Sequence, residues 1–242
     1  MWLLALETTT QEGSVALLRD DTVVAVRLGD PNLSHAERVP ADCAVLLAEA
    51  GLAPGAIDVF AVATGPGGFT GLRIGLAAIQ GLALALDRPA AGVPSLAALA
   101  WGALHSEPTR PHAGAWLDAS RGEVFAAAYR RAADGGPGWP LQALAPSTAA
   151  TPEATLVAWR DLVPAGTPVV AACRETARAV LDQAGHVTLQ APAEIATLVG
   201  RIGWRMAALG LTAPPHALQP EYVRRPDVEI ERDRRTAAAR AR

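Results

Sequence analysis

Two stretches of this 242-residue chain follow the same plan, and this similarity limits the fold more than any other sequence feature. In LLALETTTQEGSVALLR, residues 3–19, an apolar strand ends on Glu7, a polar turn with a glycine follows, and a strand containing valine returns. In GAWLDASRGEVFAAAYR, residues 114–130, Asp118 takes the place of Glu7 and the turn is two residues shorter. Such an internal repeat predicts two lobes of similar plan.

Strands and helices alternate after each repeat, which indicates a mixed α/β sheet in each lobe. Ser34 and Glu37 have capping-box spacing, so a helix begins there. The patterns predict further strands at 22–28, 57–64, 91–93 and 168–172, and helices near 34–50, 70–86, 95–105, 174–183 and 193–209. We therefore expect an N-terminal lobe, a C-terminal lobe whose last helix packs back on the first lobe, and a flexible tail, at residues 1–106, 107–226 and 227–242.

Charge and residue usage exclude several functions. The 21 basic residues against 24 acidic ones give a formal net charge of -3, without the basic surplus of a nucleic-acid-binding domain. Every basic residue is arginine, so a Walker lysine, a Schiff-base lysine and a lysine general base are excluded. No apolar run approaches the roughly 20 residues that span a bilayer. Since Cys43 and Cys173 show no disulfide pattern, we expect a cytoplasmic protein without membrane contacts.

The stretch GPGGFTGLRIG, residues 65–75, is a glycine-rich turn between a strand and a helix. Helix N-termini favour anions, so Gly67, Gly68 and Thr70 are weak candidates for cofactor phosphate contacts, with Thr70 as the N-cap. The common nucleotide signatures fail, because G-x-G-x-x-G requires glycine at position 70 and a Walker loop requires lysine. Close helix packing is favoured, since Gly71 and Gly75 share one helix face.

This pattern does not say whether the neighbour of that face belongs to the same chain or to another protein. We predict that the first two helices form a partner interface with an apolar, small-residue face. The predicted interface residues are Val39, Cys43, Leu46, Leu47, Gly71, Leu72, Arg73, Gly75, Ala78 and Leu82.

Several motifs, taken together, resemble the bacterial TsaB (YeaZ) family. They are GPGGFTGLRIG followed by QGLALAL, LALETTT at 4–10 with GSVAL, SHAERVP at 34–40, LDASRGEVFAAAY at 117–129 and PEYVRRPDVE at 220–229. They occur in the family's order and leave only about 140–215 poorly matched. The glycine stretch in combination with LDASRGEV is the specific part of the resemblance.

The resemblance implies a fold and a role. The fold is the two-lobed actin/sugar-kinase/Hsp70-like (ASKHA) fold, with duplicated ribonuclease-H-like lobes in shortened form. The role is that of a non-catalytic dimerisation subunit, which binds and stabilises a catalytic TsaD-like protein through its N-terminal lobe. That complex forms N6-threonylcarbamoyladenosine (t6A) at adenosine 37 of tRNA. The resemblance also implies a TsaE-like ATPase partner, a homodimer when the chain is alone, and tRNA contact only through the complex.

Two departures from related patterns bear on cofactors. The catalytic relative carries a metal-binding His-x-x-x-His pair on its first helix, whereas here His35 is followed four residues later by Val39. The wider fold binds phosphate through Asp-x-Gly-x-Thr, but this chain has Glu7 at the first position and Thr9 at the third, where a Cβ crowds the backbone. We therefore expect no catalytic residue, no metal and no cofactor bound by this chain alone. An ATP site between subunits stays open.

Alternative interpretations exist for the whole chain and for single residues. A small ATP-dependent kinase or ATPase of the same fold is the main alternative, and the net charge disfavours a stand-alone tRNA-binding protein. Glu7 and Asp118 are either a general acid/base pair or, as we favour, acceptors for turn N–H groups. Arg73 either binds a phosphate or, as we favour, pairs with a carboxylate across an interface. The arginines near the C-terminus alternate with acids, which indicates a solvated tail.

Overall fold

The computed structural model describes residues 1–132 and 141–224. The first repeat forms five strands, which are β1 (Trp2–Glu7), β2 (Ser14–Arg19), β3 (Thr22–Leu28), β4 (Val59–Gly65) and β5 (Ala90–Pro94). Its helices are α1 (His35–Glu49), α2 (Phe69–Ala85) and α3 (Ser95–Ser106). The predicted flexible tail at 227–242 and the glycine- and proline-rich segment at 134–140 lie outside the described residues.

The second repeat forms five more strands, which are β6 (His112–Asp118), β7 (Val124–Arg131), β8 (Leu141–Ala150), β9 (Pro168–Ala172) and β10 (Val187–Gln190). Its helices are α4 (Pro152–Trp159), α5 (Glu175–Gln183) and α6 (Ile195–Ala208). The sequence patterns missed β8, α4 and β10. Both missed strands are at sheet edges, where a strand has one partner and tolerates polar residues and proline such as Pro146.

The two sheets have the same topology, which confirms the duplicated two-lobed ASKHA fold. The first sheet has the order β3-β2-β1-β4-β5 and the second has β8-β7-β6-β9-β10. In each sheet the first three strands in sequence form an antiparallel meander, and the remaining two are parallel to the first strand. The turns after β1 and β6 therefore occupy equivalent places, as the spacing of Glu7 and Asp118 indicates.

The helices and sheets form five layers. Helices α1 and α2 cover the outer face of the first sheet, and α4 and α5 cover the outer face of the second. Helices α3 and α6 lie between the sheets in a core shared by both lobes. Each of these two helices packs mainly on the sheet of the other lobe. Helix α3 of the first repeat packs on β6 and β7, whereas α6 of the second repeat packs on β1, β2 and β4. Gly200 and Gly203 permit the close approach of α6, since Cβ atoms there would lie 2.3 Å from Leu18 and 2.6 Å from Ala61.

None of the described helices is long and apolar enough to cross a membrane.

Candidate functional site: the inter-lobe cleft and the α1–α2 face

Helix α1 is oriented by the predicted capping box at its N-terminus. The Ser34 hydroxyl accepts from the Glu37 N–H, and the Ser34 N–H donates to the Glu37 carboxylate at 2.9 Å. The amphipathic helix then buries its most apolar stripe against the first sheet. The four predicted interface residues of this stripe are at most 5% exposed, and they are Val39, Cys43, Leu46 and Leu47. Their assignment to a partner interface is therefore wrong, because they form the core between α1 and the sheet.

The glycine stretch packs against the β1–β2 hairpin of its own lobe. A Cβ on Gly71 would lie 2.1 Å from the Thr8 carbonyl oxygen, and one on Gly75 would lie 2.1 Å from Thr8 Oγ1. The Thr8 hydroxyl donates to the Gly71 carbonyl at 2.8 Å, which fixes the contact. A Cβ on Gly67 would similarly lie 2.3 Å from Thr9 Cβ. Glycine is needed at these positions because a hairpin of the same chain, and not another protein, lies against α2.

This contact corrects the α2 part of the predicted interface as well. Gly71, Leu72 and Gly75 are buried, so they offer no surface to a partner. Ala78 and Leu82 are half-buried and pack partly on the core of the first lobe. Of the predicted α2 residues, only Arg73 is exposed. The error arises because small residues at helical spacing indicate a close neighbour without indicating which one.

The three weak phosphate candidates lie at the start of α2. The helix begins at Phe69 with Gly68 as its N-cap, so the assignment of Thr70 as the N-cap is wrong. Thr70 lies in the first turn and is exposed, while the Gly68 N–H donates to the Thr9 carbonyl at 2.8 Å. Gly67 and Gly68 line the cleft between the lobes. A phosphate contact at these positions stays a prediction.

Glu7 is fully buried at the end of β1, where its carboxylate closes the hairpin turn. Its Oε1 accepts from the Thr9 N–H and hydroxyl, both at 2.5 Å, and from the Thr10 N–H at 2.8 Å. Its Oε2 accepts from the Thr10 hydroxyl at 2.8 Å. The carboxylate thus occupies the place where the turn's N–H groups converge, and such converging N–H groups are the ones that bind anions in proteins. The predicted role of Glu7 as an acceptor for turn N–H groups is confirmed.

Asp118 has the equivalent role in the second lobe. Its Oδ1 accepts from the Ser120 N–H at 2.6 Å, and its Oδ2 accepts from Arg174 Nε at 3.1 Å. A cleft of about 490 Å³ separates the two hairpins and is bordered by the start of α2. Because Glu7 is buried inside its own turn and Asp118 is bonded in its own, each carboxylate serves its hairpin and the two do not form a facing acid/base pair.

His35 lies at the edge of this cleft. Its Nε2 is 3.0 Å from the Thr10 carbonyl and its Nδ1 is 2.7 Å from Arg38 Nη2, which fits a neutral ring that donates from Nε2 and accepts at Nδ1. Burial and the neighbouring Arg38 guanidinium lower the pKa of His35 below its usual value. Val39, at the position of the second metal ligand of the catalytic relative, is in the core. Within residues 1–132 and 141–224, no three His, Cys, Asp or Glu side chains are grouped as metal ligands.

Between Glu37 and Glu49 the exposed residues of α1 carry no charge, and neither do those of α2 beyond Arg73. We call these two uncharged stretches together the α1–α2 face. The two helices pack side by side on the first sheet, and the exposed residues of this face are small or apolar. Val45 is 37% exposed and Leu84 is 69% exposed, and a Cβ on Gly81 would meet open space. The residues of the α1–α2 face are Pro40, Ala41, Ala44, Val45, Ala48, Ala77, Gly81, Leu84 and Ala85. Exposed helix surfaces normally carry charged residues, so this face is unusual.

The last described segment, residues 213–224, joins the two lobes, and we call it the C-terminal strap. Ala213 exchanges two backbone hydrogen bonds with Ala90, and the Gln80 amide donates to two strap carbonyls at 3.1 Å each. Farther along, Arg224 donates to Glu123 at 2.7 Å and to the Ala119 carbonyl at 2.9 Å in the second lobe. The sequence reasoning missed this connection, because nothing in the pattern links residues so far apart.

Fold and site together define a class: a two-lobed ASKHA protein whose first hairpin is filled by its own Glu7 and whose first lobe exposes a face without charge. A family model described as TsaD, tRNA N6-adenosine threonylcarbamoyltransferase, matches residues 32–136. A solved structure from Pseudomonas aeruginosa, titled as an uncharacterized protein with similarity to peptidase YEAZ, superposes with a TM-score of 0.72 at 30% identity. It covers 92% of this chain and 99% of that one. The chain belongs to the TsaB/YeaZ family.

Curated relatives agree with this assignment. The tRNA threonylcarbamoyladenosine biosynthesis protein TsaB of Escherichia coli is 39% identical over 136 residues, which are 56% of this chain and 58% of that protein. The TsaB protein of Bacillus subtilis is 35% identical over 130 residues, 54% of this chain and 56% of that protein. The matches therefore span little more than half the length of these curated relatives. A second solved structure, titled YeaZ from Pseudomonas aeruginosa, has a TM-score of 0.70 at 27% identity.

Proposed function

We propose that this chain is a non-catalytic scaffold subunit of the machinery that forms t6A at adenosine 37 of tRNA. In this role it binds and stabilises a catalytic TsaD-like subunit. The names of the curated relatives support a place in t6A biosynthesis. The observation that carries the scaffold role is the α1–α2 face, because an exposed uncharged surface of small residues suits close packing against the helices of another subunit.

The state of the cleft supports a non-catalytic role. In the first hairpin the N–H groups of Thr9 and Thr10 that converge on one point are already bonded to Glu7. Thr8 and Thr9 fill the space beside the glycines of α2. A nucleotide phosphate would have to displace a buried carboxylate to reach these donors. We propose that the chain alone binds no cofactor, and that any ATP site of the complex lies between subunits.

The partners follow from the same proposal. The TsaD-like subunit covers the α1–α2 face in a heterodimer, and a second copy of this chain covers it when the chain is alone. A TsaE-like ATPase joins the assembly, and tRNA is contacted only through the complex. The net charge of -3 fits this limited role of the chain in RNA binding.

Co-purification with the TsaD-like subunit of the same organism tests the scaffold role. Ala77→Glu places a carboxylate in the α1–α2 face and should weaken the complex about tenfold or more, since a charge without a partner is costly in an interface. Ala158→Glu changes an exposed alanine of α4, in the other lobe, and should have no effect. Equal recovery of the partner with both variants would contradict the proposed face.

The alternative, an ATP-dependent kinase, is tested by calorimetric titration of the isolated chain with Mg-ATP. The scaffold proposal expects no binding at micromolar concentrations. Tight binding by the chain alone would favour the kinase.

A further inference from the structure

The start of α2 and the C-terminal strap build an exposed cluster of two aromatic rings and one arginine. Arg73 lies over the Phe69 ring, with its guanidinium carbon 4.1 Å from the ring centroid. Its Nε donates to the Tyr222 hydroxyl at 2.8 Å, and the Phe69 and Tyr222 rings are 5.4 Å apart between centroids. Phe69 is 39% exposed and Tyr222 is 42% exposed, so the cluster is on the surface.

The geometry points to Arg73 as a preorganised receptor for a carboxylate of the partner protein, at one end of the α1–α2 face. This inference rests on the proposed function and adds the chemistry of one contact. Stacking on Phe69 and the bond to Tyr222 restrict a side chain that would otherwise lose rotamer freedom on binding. Its two Nη groups make no hydrogen bond or ion pair with any described residue, which leaves a planar fork of donors for a bidentate carboxylate.

The strap holds Tyr222 in place, so the receptor depends on both lobes. The Glu221 N–H donates to the Thr64 carbonyl of the first lobe at 2.7 Å. Two residues beyond Tyr222, Arg224 is bonded to Glu123 of the second lobe. Tyr222 is thus fixed on both sides, and its hydroxyl orients the Arg73 guanidinium.

A protein carboxylate fits this site better than an RNA phosphate. Arg73 is followed along the exposed side of α2 by the uncharged Ala77 and Gly81, and the nearby Arg224 is already paired with Glu123. RNA binding draws its affinity from several phosphate contacts, whereas arginine with flanking aromatic rings is typical of energetically dominant residues in protein interfaces.

The absence of lysine from this chain permits a direct test. Arg73→Lys introduces a single side-chain amine, and the only other amine is the α-amino group of Met1. In the complex with the TsaD-like subunit, a carbodiimide should join the introduced amine to the partner's carboxylate through an amide bond. Mass spectrometry of the digested complex should find this cross-link at position 73. Arg130→Lys, at an exposed residue near the end of β7, is the matched control and should give none.

Calorimetry of the same complex measures how much Arg73 and Tyr222 contribute to its affinity. Arg73→Met should weaken binding of the TsaD-like subunit about 10- to 30-fold. Tyr222→Phe should weaken it severalfold, because it keeps both rings and removes only the hydroxyl that orients Arg73. Circular dichroism should show both variants folded, since these side chains are exposed.

The outcomes separate the two proposals. If the unmodified chain does not bind the TsaD-like subunit, both the scaffold role and the carboxylate receptor are wrong. If it binds but Arg73→Met changes the Kd less than twofold, or position 73 gives no more cross-link than position 130, only the receptor is wrong. If Arg73→Met weakens binding of the complex to tRNA without changing the protein–protein Kd, the cluster contacts RNA and the receptor proposal is overturned.

Discussion

Replacement of Glu7 tests how the first hairpin is held together. Its carboxylate accepts four hydrogen bonds in a fully buried position, two of them from the backbone N–H groups of Thr9 and Thr10. Glu7→Ala removes the acceptor and leaves these donors without a partner, and each unsatisfied buried donor costs about 1–3 kcal/mol. The Thr9 hydroxyl retains a neighbour, because Ser95 Oγ lies 3.2 Å away. We therefore expect Glu7→Ala to lower the free energy of unfolding by about 3–5 kcal/mol, a large part of the stability of a typical domain.

Two further variants separate charge from shape. Glu7→Gln keeps the size but replaces a charged acceptor by a neutral one, which should cost about 1–3 kcal/mol. Glu7→Asp keeps the charge, and the turn after Asp118 shows that aspartate reaches the N–H two residues on, at 2.6 Å. It should therefore cost only about 1 kcal/mol, mostly from one lost methylene.

Urea unfolding followed by tryptophan fluorescence measures these differences, because the chain contains six tryptophans. The expected order of destabilisation is Ala, then Gln, then Asp. A change below about 1 kcal/mol for Glu7→Ala, or an Asp variant as unstable as the Ala variant, would refute the argument that the carboxylate satisfies the turn.

Three further predictions are tested by urea unfolding or by labelling of cysteines. Gly75→Ala should lower the free energy of unfolding by about 1–3 kcal/mol, because its Cβ would lie 2.1 Å from a threonine hydroxyl. Gly81→Ala in the same helix should raise the free energy of unfolding by about 0.5–1 kcal/mol, because its Cβ would meet open space. Equal effects would contradict the packing. The pKa of His35 is lowered in the folded chain, so the unfolded chain binds more protons below about pH 6.5. The free energy of unfolding should therefore fall as the pH drops through this range. His35→Asn should flatten this part of the plot of unfolding free energy against pH. Burial raises the pKa of the Cys43 thiol to about 12 and that of Cys173 to about 11, so iodoacetamide at pH 8 should label both quickly only after unfolding; fast labelling of Cys43 in the folded chain would be inconsistent with its burial.

Local patterns predicted most of the secondary structure and the symmetry of the lobes. The strands at 22–28 and 168–172 have the predicted bounds, and the capping box at Ser34 is formed. These features depend on residues close together in the chain, where turn chemistry and side-chain alternation act directly. The edge strands β8 and β10 escaped prediction because their short or polar sequences are stabilised by the neighbouring strand.

In the candidate site, by contrast, the sequence predicted less than the tertiary structure revealed. The glycines of α2 indicated a close neighbour, but only the tertiary structure identified it as Thr8, and the apolar stripe of α1 proved to be core. The exposed surface of the same two helices is on their other side, which the sequence marks only by runs of small, uncharged residues.

The sequence by itself determined the duplicated fold, the family, and the exclusion of lysine chemistry, because repeats, motifs and composition are properties of the linear chain. The tertiary structure decided which helix faces are exposed, that Glu7 fills its own turn, and that Tyr222 orients Arg73 from 149 positions away. These features arise from contacts between distant segments, and their cost or benefit depends on atoms that come together only after folding.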